Sequence, residues 1–246
     1  MKKRFFLFAL LLLSLTSVRA QKSDDVRIPL IGTDAPTFTA QTTNGELSFP
    51  SDYGRNWKIL LSHPRDFTPV CSTELLELAQ MQQDFSALGV KLAIISTDNL
   101  ERHKLWKAAL EEIAYKGNSP TEIKYALIDD HNFEISKKYG MLHSPVSTTE
   151  DVRGVFVIDG KNKVRAVYFY PMRIGRNMDE IKRMVVALQT SDQEENIGMA
   201  TPANWSPGDD MMVTHYPYTQ KELADNPELE KMYYNIGTFM WFKKSK

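Results

Sequence analysis

The sequence of 246 residues contains a single cysteine, Cys71. One cysteine cannot form a disulfide within the chain, so a fold held by internal disulfide bonds is excluded. A disulfide oxidoreductase that works through a Cys-x-x-Cys pair is also excluded, because Glu74 stands where the second cysteine of such a pair would be. Cys71 is therefore either an inert buried thiol or a reactive one.

The chain also lacks an excess of basic residues. It has 30 Lys and Arg against 31 Asp and Glu, a formal net charge of −1. No basic stripe is available to neutralise phosphates, so we predict no nucleic-acid partner. The five histidines show no spacing such as His-x3-His. We therefore predict no metal and no bound cofactor.

Only one long apolar run is present, at 5–15. Basic residues at 2–4 precede it and small residues up to Ala20 follow it, an order typical of a secretory signal. A bilayer span needs about 20 apolar residues, so we predict cleavage after Ala20, export to the periplasm or beyond, and no stable membrane insertion. The alternatives are an uncleaved signal that anchors the chain to a membrane, or a cytoplasmic location. Losing 1–20 removes four basic residues and no acidic ones, which moves the formal net charge from −1 to −5.

Hydrophobic patterning predicts that strands alternate with helices after the signal. The predicted strands are 57–62, 90–96, 125–128, 152–159 and 163–170, and the predicted helices are 69–88, 99–115, 131–139 and 177–189. Strand, helix and strand over 57–96 indicate a parallel unit with a right-handed crossover. Gly160, Lys161 and Asn162 between the last two strands indicate a hairpin. The order predicts an α/β sheet with an antiparallel portion.

The composition changes after Thr190, where prolines interrupt a stretch without long periodic segments. We therefore predict a signal at 1–20, a main domain at 30–190 and a smaller C-terminal extension at 191–246, with one short helix near 227–234.

The segment between the first strand and its helix contains a clear helix start. Thr68 suits the cap position and Pro69 suits the first helical residue. Cys71 then lies in the first turn, where unpaired amides and the positive end of the helix dipole favour a thiolate. Ligands of open α/β sheets also collect beyond the carboxyl ends of strands. Helix geometry alone leaves open the alternative that Cys71 is a small apolar residue of the core.

Residues 63–71 read HPRDFTPVC and contain the pattern Pro-x3-Thr-x2-Cys. This segment closely resembles the active-site segment of peroxiredoxins, in particular the one-cysteine, peroxiredoxin-6-like subfamily. The resemblance extends over about 31–243 and includes DVRGVFVID at 151–159, GRN at 175–177 and TPANW at 201–205. It implies a thioredoxin-like fold, a central mixed β-sheet flanked by helices, with a smaller C-terminal peroxiredoxin appendage.

The resemblance also implies roles for four residues. Cys71 would be the nucleophile that a peroxide oxidises to sulfenic acid. Arg153 would hold the thiolate and bind the peroxide oxygens. The Thr68 hydroxyl would hydrogen-bond the peroxide while the residue positions the turn. Pro64 would shield the site from water and keep the loop rigid.

Three further residues are weaker candidates for a supporting role. Glu74 would pair with an arginine and orient it, although a charged helix residue is usually a solvated one. His63 adjoins the motif, but a lone histidine is more often structural. Arg176 belongs to the matching segment 175–177.

The function implied is a thiol-specific peroxidase for hydrogen peroxide and organic hydroperoxides, serving antioxidant defence. Without a second cysteine, the sulfenic acid would be reduced by an external thiol or another small reductant. A homodimer or larger assembly is implied, with the tail of one subunit covering part of the other. The alternative is a thiol-based redox sensor or holdase. Phospholipid hydrolysis is linked to a serine in some relatives. It is not expected here because the corresponding segment, 52–57, reads DYGRNW and contains no serine.

Overall fold

The computed structural model describes residues 27–193, 198–214 and 218–245, and the predicted signal lies outside these ranges. Seven strands form one mixed sheet. In chain order they are β1 Phe38–Thr42, β2 Gly45–Phe49, β3 Trp57–Ser62, β4 Val90–Ser96, β5 Ala126–Asp129, β6 Arg153–Ile158 and β7 Val164–Tyr170. Across the sheet the order is β2-β1-β5-β4-β3-β6-β7. The central strands β3, β4 and β5 are parallel, and the other neighbouring pairs are antiparallel.

Helices cover both faces of this sheet. They are α1 Pro69–Ala87, α2 Leu100–Glu111, α3 Glu134–Tyr139 and α4 Met178–Ser191. Successive side chains of a strand point to opposite faces, so β3 contributes residues to two hydrophobic cores, one on each face of the sheet. Ile59 and Leu61 pack with residues of α1, α2 and α4, whereas Leu60 packs with β1, β2 and α3. Apolar residues on both faces explain why β3 reads as a continuous apolar run.

The predicted strands and helices of this domain are confirmed, but two helices are shorter than predicted. The cap of α2 is Asn99, whose side chain accepts a hydrogen bond from the Arg102 amide at 3.0 Å. Helix α2 ends at Glu111 because the chain turns back at Tyr115 and Asn118. Helix α3 begins at Glu134, three residues later than predicted, because Phe133 has a left-handed φ of 64°.

The first hairpin, β1 and β2, was not predicted. Its strands pair in register from Phe38 opposite Phe49 to Thr42 opposite Gly45. The signals were present, since apolar and polar residues alternate and Asn44 followed by Gly45 favours a tight turn. Gly45 has a φ of 101°, a backbone conformation that residues other than glycine rarely adopt.

The C-terminal extension contains more regular structure than predicted. Within its described residues lie β8 Met199–Ala200, β9 Met211–Val213, α5 Gln220–Asp225, α6 Pro227–Met232, β10 Tyr233–Ile236 and β11 Met240–Lys243. The strands form a second sheet, in the order β10-β11-β9-β8, and only α6 was predicted. Trp205 anchors the extension to α4, because its ring packs with Ala187 and its carbonyl accepts a hydrogen bond from Arg183 at 3.0 Å. Within the described ranges, no helix has the length and apolarity that a membrane span requires.

A buried polar cluster joins α3 to the segment that leads into β6. The Ser136 hydroxyl lies 2.5 Å from Asp130 Oδ2 and 3.1 Å from Asp151 Oδ2. A hydroxyl has one hydrogen, so it can donate to only one carboxylate, and the other carboxyl must carry a proton. Burial raises the pKa of Asp151 well above its ordinary value, and the charge of Asp130 raises it further. Asp151 is therefore the protonated partner, two residues before Arg153.

Because its pKa is raised in the folded state, Asp151 keeps a proton that the unfolded chain releases above about pH 4. Its contribution to stability is therefore lost as pH rises from there towards the folded-state pKa. Asp151→Asn cannot ionise, and its amide can still donate to Ser136. We expect its Tm at pH 8 to exceed that of wild type by roughly 2–4 °C, about 1 kcal/mol for a chain of this size, with the difference vanishing near pH 4.

Thermal unfolding followed by circular dichroism between pH 4 and pH 8 measures this difference. Glu112→Gln removes an exposed carboxyl and serves as the matched control. An Asp151→Asn variant no more stable than wild type at pH 8 would contradict the assignment of the proton.

Candidate active site

Cys71 lies in the first turn of α1, at the carboxyl end of β3. Thr68 is the cap residue, with φ −109° and ψ 146°, and Pro69 is the first helical residue, as predicted. The Thr68 hydroxyl, however, makes no hydrogen bond to the backbone of α1 and instead donates to the Arg65 carbonyl at 2.9 Å. The cap therefore acts through its backbone conformation. A hydroxyl can also accept hydrogen bonds, so its oxygen can receive one from another molecule.

The side chain of Arg153 contacts the sulfur directly. Its Nη1 lies 3.3 Å from Cys71 Sγ and donates to Glu74 Oε2 at 2.8 Å. Its Nε and Nη2 both donate to the Met172 carbonyl, at 2.9 and 2.6 Å. Four contacts thus fix the plane of the guanidinium. Arg153 is the first residue of β6, and the structure places it against Cys71, the pair that the sequence resemblance implies.

Glu74 is held by a second arginine as well. The Arg176 side chain donates through Nε to Oε1 at 3.0 Å and through Nη2 to Oε2 at 2.7 Å, a bidentate pair. The Arg176 amide adds a third bond at 2.8 Å, and its Nη1 reaches the carbonyls of Ser62 and Gly154. Burial by itself raises the pKa of Glu74, but the charge and hydrogen bonds of Arg176, together with the charge of Arg153, hold it below its ordinary value. The interpretation of Glu74 as a solvated helix residue is wrong, because it is 2% exposed.

The formal charges of these side chains favour an anionic sulfur. Arg153 and Arg176 contribute two positive charges and Glu74 one negative charge, and all three are buried. One positive charge therefore remains beside Cys71. An uncompensated buried charge is unfavourable, so this positive charge favours an anion at the position of the sulfur.

The other two predicted residues, His63 and Pro64, are buried next to β3. His63 Nε2 makes a hydrogen bond to Asp66 Oδ1 at 2.8 Å, and burial lowers the pKa of His63. On the other side of this carboxylate, His103 Nδ1 lies 2.7 Å from Asp66 Oδ2. Asp66 and His103 were missed by sequence reasoning. A charged residue inside the active-site segment was a signal for Asp66, whereas only the fold brings His103 on α2 to this place.

Cys71 itself has no exposed surface. A substrate therefore reaches the sulfur only when neighbouring side chains or the segment before α1 move. Nowhere in the described ranges do three or more His, Cys, Asp or Glu side chains form a group that could hold a metal ion. The contact between Cys71 and Arg153 supports the chemistry of a sulfur nucleophile paired with a guanidinium.

Comparison with known proteins finds two family matches. Residues 31–167 match the AhpC/TSA family, and residues 187–225 match the C-terminal domain of 1-Cys peroxiredoxin. The first match covers β1 to β6, the first half of β7, and the site residues Cys71, Glu74 and Arg153, whereas Arg176 lies beyond it. The second covers the end of α4 and part of the extension.

Individual relatives agree with these matches. A peroxiredoxin of Methanosarcina mazei is 49% identical over 187 residues, which are 76% of this chain and 84% of the relative. The structure of a cysteine-to-serine mutant of the peroxiredoxin 6 of Arenicola marina superposes with a TM-score of 0.74 at 31% identity, covering 88% of this chain and 98% of that one. A yeast mitochondrial 1-Cys peroxiredoxin, described with its thiol resolving mechanism via glutathione and thioredoxin systems, has a TM-score of 0.75 at 34% identity. The match covers 89% of this chain and the whole of the yeast chain.

Arg153→Met tests the charge balance at the sulfur. Without this guanidinium the remaining pair of Glu74 and Arg176 is neutral, so the thiolate loses its compensating charge. We expect alkylation of Cys71 by iodoacetamide at pH 7 to slow by about tenfold, equivalent to about 1.4 kcal/mol, and the pH profile of alkylation to move to higher pH.

Alkylation rates between pH 5 and pH 9, followed by intact-protein mass spectrometry, measure both effects. Arg173→Met, which removes an exposed arginine from the same segment as Met172, is the matched control. An Arg153→Met profile that coincides with the Arg173→Met profile would exclude Arg153 as the group that stabilises the thiolate.

Proposed function

This chain belongs to the peroxiredoxin family and is a thiol-dependent peroxidase, and we propose that Cys71 performs the reaction through a sulfenic acid. The observation that carries the proposal is the contact of 3.3 Å between Arg153 Nη1 and Cys71 Sγ, made by a guanidinium that Glu74 holds in place. Such a pair supplies both a nucleophile and a donor for a charged leaving group.

The Cys71 thiolate attacks the terminal oxygen of hydrogen peroxide or an organic hydroperoxide. The S–O bond forms as the O–O bond breaks, and the departing hydroxide or alkoxide takes up a proton to leave as water or an alcohol. Arg153 stabilises the charge that moves onto the departing oxygen. The Thr68 hydroxyl hydrogen-bonds the peroxide, and buried Pro64 limits the access of water to the site.

Reduction of the sulfenic acid requires a thiol from outside the chain, because the sequence contains no second cysteine. The external thiol attacks the Cys71 sulfur, forming a mixed disulfide and releasing water, and a second thiol then frees Cys71. The description of the yeast mitochondrial relative names glutathione and thioredoxin systems. We propose a reductant of this class for the present chain.

Peroxide consumption by purified wild type and Cys71→Ser tests the function. We expect wild type to turn over hydrogen peroxide with at least one of dithiothreitol, glutathione or a thioredoxin system, and Cys71→Ser to show no activity above background, because serine is a far weaker nucleophile. The ratio of the two rates is the measurement.

Equal, slow consumption by both proteins would rule out the peroxidase mechanism at Cys71. A single stoichiometric reaction of wild type without turnover, whatever the reductant, would instead favour a redox sensor or holdase.

We also propose that the chain forms a homodimer, as the basis of any larger assembly. Strand β7 ends the strand order of the sheet, and its half-buried residues 168–170 are aromatic. In the extension, Ile236 is 52% exposed and Phe239 is 79% exposed. A strand at the end of a sheet and exposed apolar side chains are surfaces that association covers, which supports contact between two copies through β7 and the tail.

Export of the mature chain is a further proposal. It is supported by the basic, apolar and small-residue order of 1–20, and it places the protein in the periplasm or outside the cell. The alternatives are an uncleaved signal that serves as an anchor, or a cytoplasmic chain.

Native mass spectrometry of the protein purified from its own cells tests assembly and processing together. We expect two chains per particle, each beginning at Gln21 after cleavage behind Ala20. A chain that retains Met1 would contradict cleavage, and a particle of one chain at micromolar concentration would contradict the dimer.

A further inference from the structure

Helix α2 holds the segment that leads to the reactive cysteine. We call residues 63–68, between β3 and α1, the active-site loop. Within it, Asp66 is fully buried and three of its polar groups bind residues 98–103. Its amide donates to Asp98 Oδ2 at 2.7 Å, its carbonyl accepts from Arg102 Nη2 at 3.2 Å, and its Oδ2 meets His103 Nδ1.

The imidazole of His103 joins two parts of the fold. Its Nε2 lies 3.0 Å from the Ile128 carbonyl, which can only accept, so Nε2 donates this hydrogen bond. Its Nδ1 lies 2.7 Å from Asp66 Oδ2. Burial opposes ionisation of Asp66, yet hydrogen bonds from His103 and His63 lower its pKa to about 2. His103 therefore connects the active-site loop to β5 through one hydrogen bond on each side of its ring.

The next residue of the loop has a conformation that needs support. Phe67 has a φ of 58°, a backbone conformation that residues other than glycine rarely adopt. Such a conformation persists only where the surroundings hold it. Here the Arg102 guanidinium lies 5.3 Å from the centre of the Phe67 ring, and the ring of Trp106 lies 6.3 Å away. Arg102, His103 and Trp106 thus act from one helix on two consecutive loop residues.

We propose that His103 is a positioning residue for peroxide reduction, acting through Asp66. The hydrogen bond between His103 and Asp66 fixes the active-site loop, the loop fixes Thr68 and the first turn of α1, and this turn sets Cys71 against Arg153. Arg153 belongs to β6 and its side chain hydrogen-bonds Cys71, Glu74 and Met172, which lie outside the loop, so a shift of the loop moves the sulfur relative to its guanidinium. A displacement of about 1 Å can slow a reaction by a large factor. The inference rests on the peroxidase function for its readout only.

Two substitutions separate this role from ordinary structural support. The amide nitrogen of His103→Asn lies where Nδ1 does and can still donate to Asp66, but it loses the bond to Ile128. The amide nitrogen of His103→Gln lies where Nε2 does and keeps the bond to Ile128, but it loses Asp66. Positioning through Asp66 predicts that the asparagine rescues the reaction and the glutamine does not.

The measurements are the second-order rate constant for sulfenic acid formation with hydrogen peroxide and the rate of labelling of Cys71 by a bulky maleimide. For His103→Gln we expect the peroxide rate constant to fall by about tenfold while maleimide labelling becomes faster, because a loosened loop exposes the thiol. For His103→Asn we expect both rates within about threefold of wild type. The wild-type rate, measured first, tests the peroxidase function separately.

The reverse pattern, with His103→Asn impaired and His103→Gln normal, would overturn the proposal in favour of simple anchoring to β5. Equal effects of the two substitutions would also overturn it. Should either variant fail to fold, Arg102→Met removes a half-exposed side chain from the same loop contact. It should slow the peroxide reaction and speed labelling in the same way, and wild-type values for both rates would count against the proposal.

Discussion

The site depends on one buried carboxylate. Glu74 follows Cys71 by three residues on α1, so both side chains point to one face of the helix. Arg153 from β6 binds both of them, and Arg176, just before α4, closes on the carboxylate from the other side. Three distant parts of the chain thereby meet at a single side chain. If one of these side chains moves away, the others become buried charges without partners, which is strongly unfavourable. The set of Glu74, Arg153 and Arg176 therefore has one well-defined arrangement.

Local signals in the sequence were sufficient for the position of the cysteine. Thr68 and Pro69 indicate where α1 begins, and this boundary puts Cys71 in the first turn. The alternation of strands with helices and the hairpin around Asn162 also follow from patterning, because both faces of the sheet are covered and the turn needs special conformations. These features depend only on residues a few positions apart.

Features that depend on distant residues required more than patterning. Cys71 and Arg153 are 82 residues apart, and only the resemblance to a family joined them before the fold was known. His103 had no such guide, since neither the spacing nor the composition of α2 shows which face meets the loop. The strands of the extension were missed because they are short and contain few strictly alternating residues. Met211 of β9 packs with Trp205 and with Ala187 of α4, a contact between parts of the chain that local patterning does not reveal.

The balance of charges around the sulfur also matters after the first chemical step. Glu74, Arg153 and Arg176 together carry one positive charge, and the thiolate cancels it. Sulfenic acid is neutral, so oxidation leaves a cation without a counterion in a buried place. The oxidised protein is consequently drawn towards an incoming anion, and a reductant approaching as a thiolate restores neutrality as it arrives. The same positive charge that favours the thiolate before oxidation would therefore favour an anionic reductant afterwards.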